Sequence, residues 1–372
     1  MTLSRTFAMF VKELVQLRRD RLTFATIIAL PAMQLLLFGY AINTNPRHLP
    51  TALLMHEESD LSRSILAALG NTSYFRVTRL ARSEAEMDRW IRSGEVQFAV
   101  EIPAGFERRV RRGDRPAILV VADATDPVAS GTALAALEGV VRSALARDRG
   151  LPDTTAPPAA FEIRQHRRYN PAAVTSLNIV PGLLGIILTM TMLIFTALSV
   201  TRELERGTME NLLAMPIEPL EIMLGKIAPY IVIGFVQAVL IVGLGALLFA
   251  VPVVGSLWLL AGASTLFIAA NLSIGYTFST VAQNQLQAVQ MSFMFFLPNI
   301  LLSGFMFPFA GMPGWAQWIG EMLPLTHYIR IVRGIMLKGA MLGDIQGDAL
   351  ALLALMLVAM TVAVRRFRRT LD

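Results

Sequence analysis

The chain has 372 residues, of which 54% are hydrophobic and 16% are charged, whereas a soluble domain carries about a quarter charged residues. Its 33 basic residues outnumber its 27 acidic ones, but they are spread along a strongly apolar chain, which argues against a nucleic-acid-binding protein. The absence of cysteine excludes disulfides and thiolate metal sites. The composition therefore indicates a membrane protein.

The N-terminal segment predicts two helices of different kinds. In residues 1–21, apolar side chains recur every three to four positions with cations between them. This pattern is typical of an amphipathic helix on the cytoplasmic membrane surface, held there by anionic lipids. The uncharged run at 22–42 is long enough to cross a bilayer and lacks a small-residue cleavage site. We expect it to remain as transmembrane helix 1.

Residues 43–176 alternate between strand and helix patterns, which predicts an α/β domain with a largely parallel sheet. The domain contains no phosphate-binding loop, nucleophile elbow or zinc motif. Strands are predicted at 50–55, 74–80, 95–102, 117–122 and 161–168. Helices are predicted from Ser59 or Asp60 to Gly70, from Ser83 to Gly94, at 104–112 and from about 127 to 148.

Residues 177–372 contain five further apolar runs, predicted as transmembrane helices 2–6, so that the fold class is a polytopic α-helical membrane protein with six spans and an inserted α/β extracytoplasmic domain. We expect the span cores to contain no Asp, Glu, Lys, Arg or His, which argues against a proton-driven transporter and an intramembrane protease. The chain has no Walker motif, so we expect no enzymatic activity of its own. The five runs lie at about 177–200, 227–250, 257–281, 286–308 and 348–364.

The distribution of basic residues predicts the topology. Twelve Lys and Arg residues lie in the short segments on one side of the predicted spans and three on the other. Since basic short loops stay in the cytoplasm, we expect both termini to be cytoplasmic and the α/β domain to be extracytoplasmic.

The predicted cytoplasmic loop at 201–226 has the pattern of a docking element. Thr208 can cap a short helix that must end before Pro216. That helix has an apolar stripe beside acidic residues, which suits a groove on a soluble partner. A helix resting on the membrane surface is the alternative.

The segment at 309–340 is apolar but interrupted by two prolines, which predicts a re-entrant hairpin of two short helices on the outer side. Arg330 and Arg333 share one helix face, and Glu321 is expected to pair with one of them. These three residues are either a gate at the outer end of a transport path or charges that extend towards lipid headgroups.

Three stretches and the order of the six spans resemble the permease subunits of ABC type-2 exporters, in the subgroup with a large extracytoplasmic domain between spans one and two. The three stretches occupy residues 16–52, 202–217 (RELERGTMENLLAMPI) and 303–339. The resemblance covers essentially the whole chain.

This resemblance implies an inner-membrane permease that works as a homodimer or heterodimer with a cytosolic ABC ATPase, which holds ATP and Mg, so this chain needs no cofactor. Relatives of the subgroup commonly act in multidrug efflux with a periplasmic adaptor protein. Residues 1–21 correspond to the connecting helix of such permeases. The coupling helix, which enters the ATPase groove, falls on Arg206, Gly207, Thr208, Glu210, Leu212 and Leu213.

The resulting hypothesis is ATP-driven export of a hydrophobic or amphipathic, drug-like or lipid-like compound. Two alternatives remain: a non-transporting ABC-type permease that acts as a sensor or pulls on an envelope partner, and an energy-independent channel or scramblase. The candidate residues of the substrate path are Gln290, Phe293, Phe296, Asn299 and Ser303. The alternative is that each of them has only an ordinary role in helix packing.

Overall fold

A computed structural model of the chain describes residues 47–143, 161–205, 207 and 219–369. The predicted surface helix at 1–21 and transmembrane helix 1 at 22–42 lie outside the described residues. Residues 206 and 208–218 of the predicted coupling loop do so too, and these assignments stay predictions.

Residues 47–143 and 161–168 form an α/β domain around a single sheet, and each strand begins and ends within three residues of its predicted bounds. The strands are β1 (Leu49–Met55), β2 (Phe75–Leu80), β3 (Phe98–Ile102), β4 (Ala117–Asp123) and β5 (Glu162–Arg168). The helices are α1 (Asp60–Asn71), α2 (Glu84–Ser93), α3 (Phe106–Arg112) and α4 (Pro127–Ser143).

The sheet has the order β2-β1-β3-β4-β5. β1 is parallel to β2 and β3, and β4 is parallel to β5, but β3 and β4 are antiparallel. The prediction of a largely parallel sheet is therefore right except at β3 and β4. Helix α3 between them has seven residues and rises only about 10 Å, which is too short to carry the chain back for a parallel return.

Helices cover both faces of this sheet. Apolar side chains of α1, α3 and α4 form a core with one face, where Phe75 and Phe98 meet edge to face at 5.1 Å. Met87 and Ile91 of α2 pack on the other face against Ala52 and Leu54 of β1. The domain is thus a three-layer α/β unit.

Side-chain caps fix the helix starts that the sequence predicts. Ser59 and Ser62 form reciprocal hydrogen bonds at the start of α1. At the start of α2, the Ser83 hydroxyl accepts a hydrogen bond from the backbone N–H of Glu86 at 3.3 Å. Gly94, with φ of +78°, ends α2 in the left-handed region that glycine favours.

Five long apolar helices follow the domain, and the described residues contain four stretches long and apolar enough to cross a membrane: Thr175–Ser199, Pro229–Phe249, Leu257–Val281 and Leu342–Arg366. These stretches agree with a polytopic helical membrane protein. The five helices are α5 (Thr175–Glu205), α6 (Pro219–Phe249), α7 (Leu257–Val281), α8 (Gln285–Leu302) and α11 (Leu342–Arg369).

Helix α8, which covers most of the predicted fifth span, is not among the four stretches, since glutamines occupy several positions of its first turns. The helix also ends at Leu302 rather than at residue 308. The expected end is therefore wrong, because Gly304 has φ of +81° and leaves the helical conformation.

The hairpin after α8 contains the two expected short helices. A 3₁₀ turn at Phe309–Gly311 precedes α9 (Gly314–Glu321) and α10 (Pro324–Lys338). Helix α10 is buried along almost its whole length. Its Tyr328 ring stacks on Phe267 of α7 at 3.9 Å, and its hydroxyl lies 2.7 Å from the Ser264 hydroxyl. The hairpin is therefore packed into the helix bundle.

Two glycines of α7 provide a test of this packing. A Cβ atom on Gly275 would lie 2.9 Å from the backbone oxygen of Leu193 in α5, whereas one on Gly262 would meet no atom within 4 Å. We expect Gly275→Ala to destabilise the protein by about 1–3 kcal/mol through overpacking. Gly262→Ala should leave stability unchanged or raise it by up to about 1 kcal/mol. Heating the purified variants in detergent and measuring the folded fraction by size exclusion checks both, and equal melting of the two variants would contradict the close approach.

Candidate functional site

A group of charged side chains connects the hairpin to the helix bundle. The Glu321 carboxylate accepts two hydrogen bonds from the Arg330 guanidinium, at 2.6 and 3.2 Å. Arg330 also donates to Asp348 of α11 at 3.3 Å and lies over the Phe309 ring at 4.6 Å. The pairing of Glu321 with one arginine of α10 is thus confirmed, and the arginine is Arg330.

Sequence reasoning missed two members of this group, His327 and Asp348. Asp348 is the first residue of the predicted sixth span, so the expectation of charge-free spans is wrong at this end of the helix. The carboxylate is accommodated because it binds both His327 and Arg330. The three-residue spacing from His327 to Arg330, one turn of α10, was a signal that pointed to His327.

The hydrogen-bond geometry of His327 favours its doubly protonated form. Its Nδ1 lies 2.8 Å from Asp348 Oδ1, and its Nε2 lies 2.9 Å from the backbone oxygen of Glu321. A backbone carbonyl and an ionised carboxylate only accept hydrogen bonds, so both ring nitrogens carry protons. Burial lowers the pKa of His327, but its hydrogen bonds and the charges of Asp348 and Glu321 outweigh burial and raise the pKa above its ordinary value.

Arg333 does not join this group, although it shares a helix face with Arg330. Its Nη1 donates a hydrogen bond to the backbone oxygen of Gly304 at 3.2 Å. Its Nε and Nη2 atoms are shielded from solvent and have no hydrogen-bond partner in the part of the chain that the structure describes. Burial lowers the pKa of this guanidinium, opposed by the charges of Asp126 and Asp123 in the α/β domain.

Lys338, the last residue of α10, attaches the hairpin to the α/β domain. Its ammonium group forms an ion pair with Asp123 at the end of β4, and each side chain is only 8% exposed. The ammonium also donates to the backbone oxygen of Ile91 at 3.2 Å and lies 5.6 Å from the centre of the Tyr169 ring. No local sequence signal joins residues 123 and 338.

A cavity of about 920 Å³ lies between the α/β domain and the hairpin. Residues of β1, β2, α2 and α4 line it on the domain side, and residues of α10 and α11 line it on the hairpin side. Arg330, Arg333 and Lys338 all contribute to its wall. Its size is within the range of small-molecule sites, roughly 300–1,000 Å³.

The five candidate residues of the substrate path fall into different places. Phe293 and Phe296 line a narrow cleft between α8 and α5, together with Ser292. Asn299 is fully buried, and both of its side-chain polar atoms lack a hydrogen-bond partner among the described residues. Ser303 is also buried and lines the cavity below the domain. Gln290, one turn before Phe293 on α8, forms a polar contact of its own.

Of the six candidate coupling residues, only Gly207 lies among the described residues, where it forms an exposed turn with φ of +68°. Arg206, Thr208, Glu210, Leu212 and Leu213 lie outside them. Just before this turn, the Glu205 carboxylate accepts a hydrogen bond at 2.7 Å from the backbone N–H of Gln285. The start of the loop is thereby connected to the first residue of α8.

A family model described as ABC-2 family transporter protein matches residues 21–365. The chain belongs to the ABC-2 transporter family. It is therefore an ABC-2 permease and a multi-pass membrane protein, as the sequence resemblance predicted. Family membership implies a cytosolic ATPase partner and dimerisation.

Curated relatives resemble this ABC-2 permease over most of their length. The probable multidrug ABC transporter permease YbhS of Escherichia coli is 30% identical over 90% of this chain and 89% of its own. The inner membrane transport permease YhhJ of the same species is 32% identical over 87% and 86%. The probable multidrug permease YbhR is 27% identical over 98% of both chains.

Disruption of the buried Lys338–Asp123 pair should destabilise the permease far more than disruption of a surface pair does. Removal of one partner leaves an uncompensated buried charge, so we expect Lys338→Met alone to cost about 3–5 kcal/mol. Asp123→Asn combined with it should cost less than the sum of the two single changes. Melting temperatures of the purified variants measure this coupling.

The exposed pair of Arg63 and Asp60 provides the matched control. Arg63→Gln should change stability by less than about 1 kcal/mol. Strict additivity of Lys338→Met and Asp123→Asn would contradict a direct interaction.

His327 should make the stability of the hairpin depend on pH. Because its pKa in the folded protein is raised above the unfolded value of about 6.5, its contribution is complete below that pH and is lost as pH rises through the folded-state pKa. We expect the melting temperature of the wild type to fall across this range, and His327→Gln to remove part of the fall. His166→Gln, on the exposed side of β5, is the control. An unchanged profile in the His327 variant would contradict the protonated state.

Proposed function

We propose that this permease is the transmembrane subunit of an ATP-driven exporter in the bacterial inner membrane, and that it moves a hydrophobic or amphipathic compound outwards. The observation that carries the proposal is the family match over residues 21–365. The names of two relatives as probable multidrug permeases support a drug-like or lipid-like substrate.

In this proposal the energy enters through the loop at 201–226. The partner ATPase binds ATP and Mg, and the coupling helix around Glu210 transmits the closure of the ATPase to the spans. The hydrogen bond from Gln285 to Glu205 supports this role, because it connects the start of the loop to α8. A displacement of the loop would then move α5 and α8 together.

The substrate would move between α5 and α8, which would have to separate, because the cleft between them has no room for a water molecule in this structure. Phe293 and Phe296 line this cleft with mostly apolar neighbours, Met190, Leu193 and Ile194, so apolar contacts would dominate binding. Phe293 is 43% exposed, which supports a surface that a substrate can reach. Asn299, buried and without a hydrogen-bond partner among the described residues, would supply a polar contact farther along α8.

The outer end of this path would be closed by the ion pair of Glu321 and Arg330. Its connection to α11 through Asp348 supports a gate, because a movement of α11 would strain the pair. Arg333 belongs to the same proposal only as a neighbour, since it makes no ion pair with Glu321.

The assembly that we propose contains two permease copies or paralogues, the ATPase, membrane lipids and a periplasmic adaptor. Both termini and the loop at 201–226 would face the cytoplasm. The α/β domain at 43–176 would face the periplasm, and residues 177–372 would hold helices 2–6 and the re-entrant hairpin at 309–340.

A non-transporting mechanical role is the second candidate, and one observation favours it. The buried Lys338–Asp123 pair attaches the α/β domain directly to the hairpin, so movement of the hairpin would be passed to a partner of the domain. Such a permease would stimulate ATP hydrolysis without moving the dye Hoechst 33342 in inverted vesicles. Dye movement that depends on ATP would exclude it.

Coupling can be tested with Glu210→Lys. Reversal of this charge should weaken docking to the ATPase and reduce transport-linked ATP hydrolysis at least about tenfold, which corresponds to roughly 1.4 kcal/mol. ATPase activity of the complex reconstituted in liposomes measures the effect. Glu221→Lys, in the same loop but beyond Pro219, is the control. Wild-type activity of the Glu210 variant in an intact complex would contradict the assignment.

A further inference from the structure

The cavity of about 920 Å³ between the α/β domain and the hairpin is distinct from the cleft between α5 and α8, although its wall includes Ser303 and Arg330. Its wall joins two parts of the chain that are distant in sequence, since Arg76 and Asp126 belong to the domain, and Arg333 and Ile345 to the hairpin side.

Several charges of the wall neutralise one another or a neighbour. Lys338 pairs with Asp123, Arg330 with Asp348, and Glu95 with Arg79. Of the remaining acids, Asp126 accepts hydrogen bonds from backbone N–H groups at the start of α4, and Asp344 does the same at the start of α11. Four cations of the wall form no ion pair among the described residues: Arg47, Arg76, Arg92 and Arg333. Backbone hydrogen bonds leave the charges of Asp126 and Asp344 in place, so the wall holds six cations against five acids and keeps a small positive excess.

Arg333 gives this excess a definite position. Among the residues that the structure describes, its guanidinium makes one hydrogen bond, to Gly304, and its Nε and Nη2 are unpaired and shielded from solvent. A buried guanidinium with unpaired N–H groups is costly. The Nε–Nη2 edge has the two-donor geometry that matches a phosphate or carboxylate. This edge is buried in the present structure, so an anion in the cavity would reach it only after the guanidinium rotates and gives up its bond to Gly304.

The other side chains of the wall indicate what the anion is attached to. Apolar side chains from the hairpin side also line the cavity, including Phe309, Met312, Ile329 and Ile345. Arg47 follows the predicted end of transmembrane helix 1 by five residues, which brings the charged side of the cavity close to the membrane surface. An anion with an apolar tail would contact both the charged part and the apolar part of the cavity wall.

We propose that this cavity binds the anionic group, a phosphate or a carboxylate, of an amphipathic molecule, with Arg333 as the two-donor contact. Arg47, Arg76 and Arg92 supply the attracting field at the entrance. Binding here needs no ATPase, so it can be tested independently of the proposed export.

The test measures binding to the purified full-length permease in an uncharged detergent by native mass spectrometry. Dihexanoyl phosphatidic acid is the probe, dihexanoyl phosphatidylcholine has no net charge and serves as its reference, and inorganic phosphate is the competitor. We expect Arg333→Gln to weaken binding of the acid at least tenfold. Arg333→Lys should recover part of it, because lysine keeps the charge but not the fork. Arg63→Gln, outside the cavity wall, is the control.

Arg76→Gln provides a second test in case Arg333→Gln fails to fold, since Arg76 is exposed. We expect Arg76→Gln to weaken binding of the acid about threefold and to reduce the salt dependence of binding.

Competition by phosphate would identify free phosphate as a sufficient occupant, and lack of competition would identify a lipid headgroup. Equal affinity of the wild type and both variants, or equal affinity for the two lipids, would overturn the proposal. If the permease binds phosphatidic acid but moves no Hoechst 33342, the result supports the anion site and contradicts the export proposal.

Discussion

The structure depends on one constraint: α10 carries four cationic side chains and is nevertheless buried along almost its whole length. A charge removed from water costs several kcal/mol unless it is paired and hydrogen-bonded. The surroundings of α10 must therefore provide acids. Glu321, Asp348 and Asp123 do so, and each comes from a different part of the chain.

These ion pairs make α10 the junction of three parts of the permease. Arg330 and Glu321 join the two hairpin helices, His327 and Asp348 join the hairpin to α11, and Lys338 joins it to the α/β domain. A movement that separated any two parts would expose or unpair a buried charge. Movement of the three parts as one body avoids that cost, and the pairs therefore favour concerted motion of the hairpin, α11 and the domain.

Local patterns in the sequence predicted most of the α/β domain. Ser59 and Ser83 cap the starts of helices and Gly94 ends one, each through interactions with residues close by in sequence. Such signals can be read from a short stretch of sequence. The antiparallel pairing of β3 and β4 could not be predicted from the sequence. It depends on the length of the connection through α3 and on which strands pair with one another, and the periodicity of apolar residues gives neither.

The site could be predicted only where its contacts are short in sequence. Glu321 and Arg330 are nine residues apart, and the hairpin geometry suggested their pairing. Lys338 and Asp123 are 215 residues apart, so no pattern connects them. Asp348 was hidden for another reason: it begins an apolar run, and averaging over the run conceals one carboxylate. The residues that hold the hairpin in place were thus the ones hardest to find.

Arg333 differs from the other cations of α10, because it forms no ion pair among the described residues. Acids pair with three other cations of the same helix, so the fold is able to neutralise a charge at this place, yet Arg333 Nε and Nη2 have no partner in the part of the chain that the structure describes. Buried groups without partners are rare in native proteins and need an explanation. Arg330 lies one turn away and also lines the cavity. An anion bound to Arg333 would therefore attract Arg330 as well, in competition with Glu321 and Asp348. Since like and opposite charges at about 4 Å interact by roughly 4 kcal/mol near a protein surface, occupation of the cavity and the strength of the Glu321–Arg330 pair would be coupled.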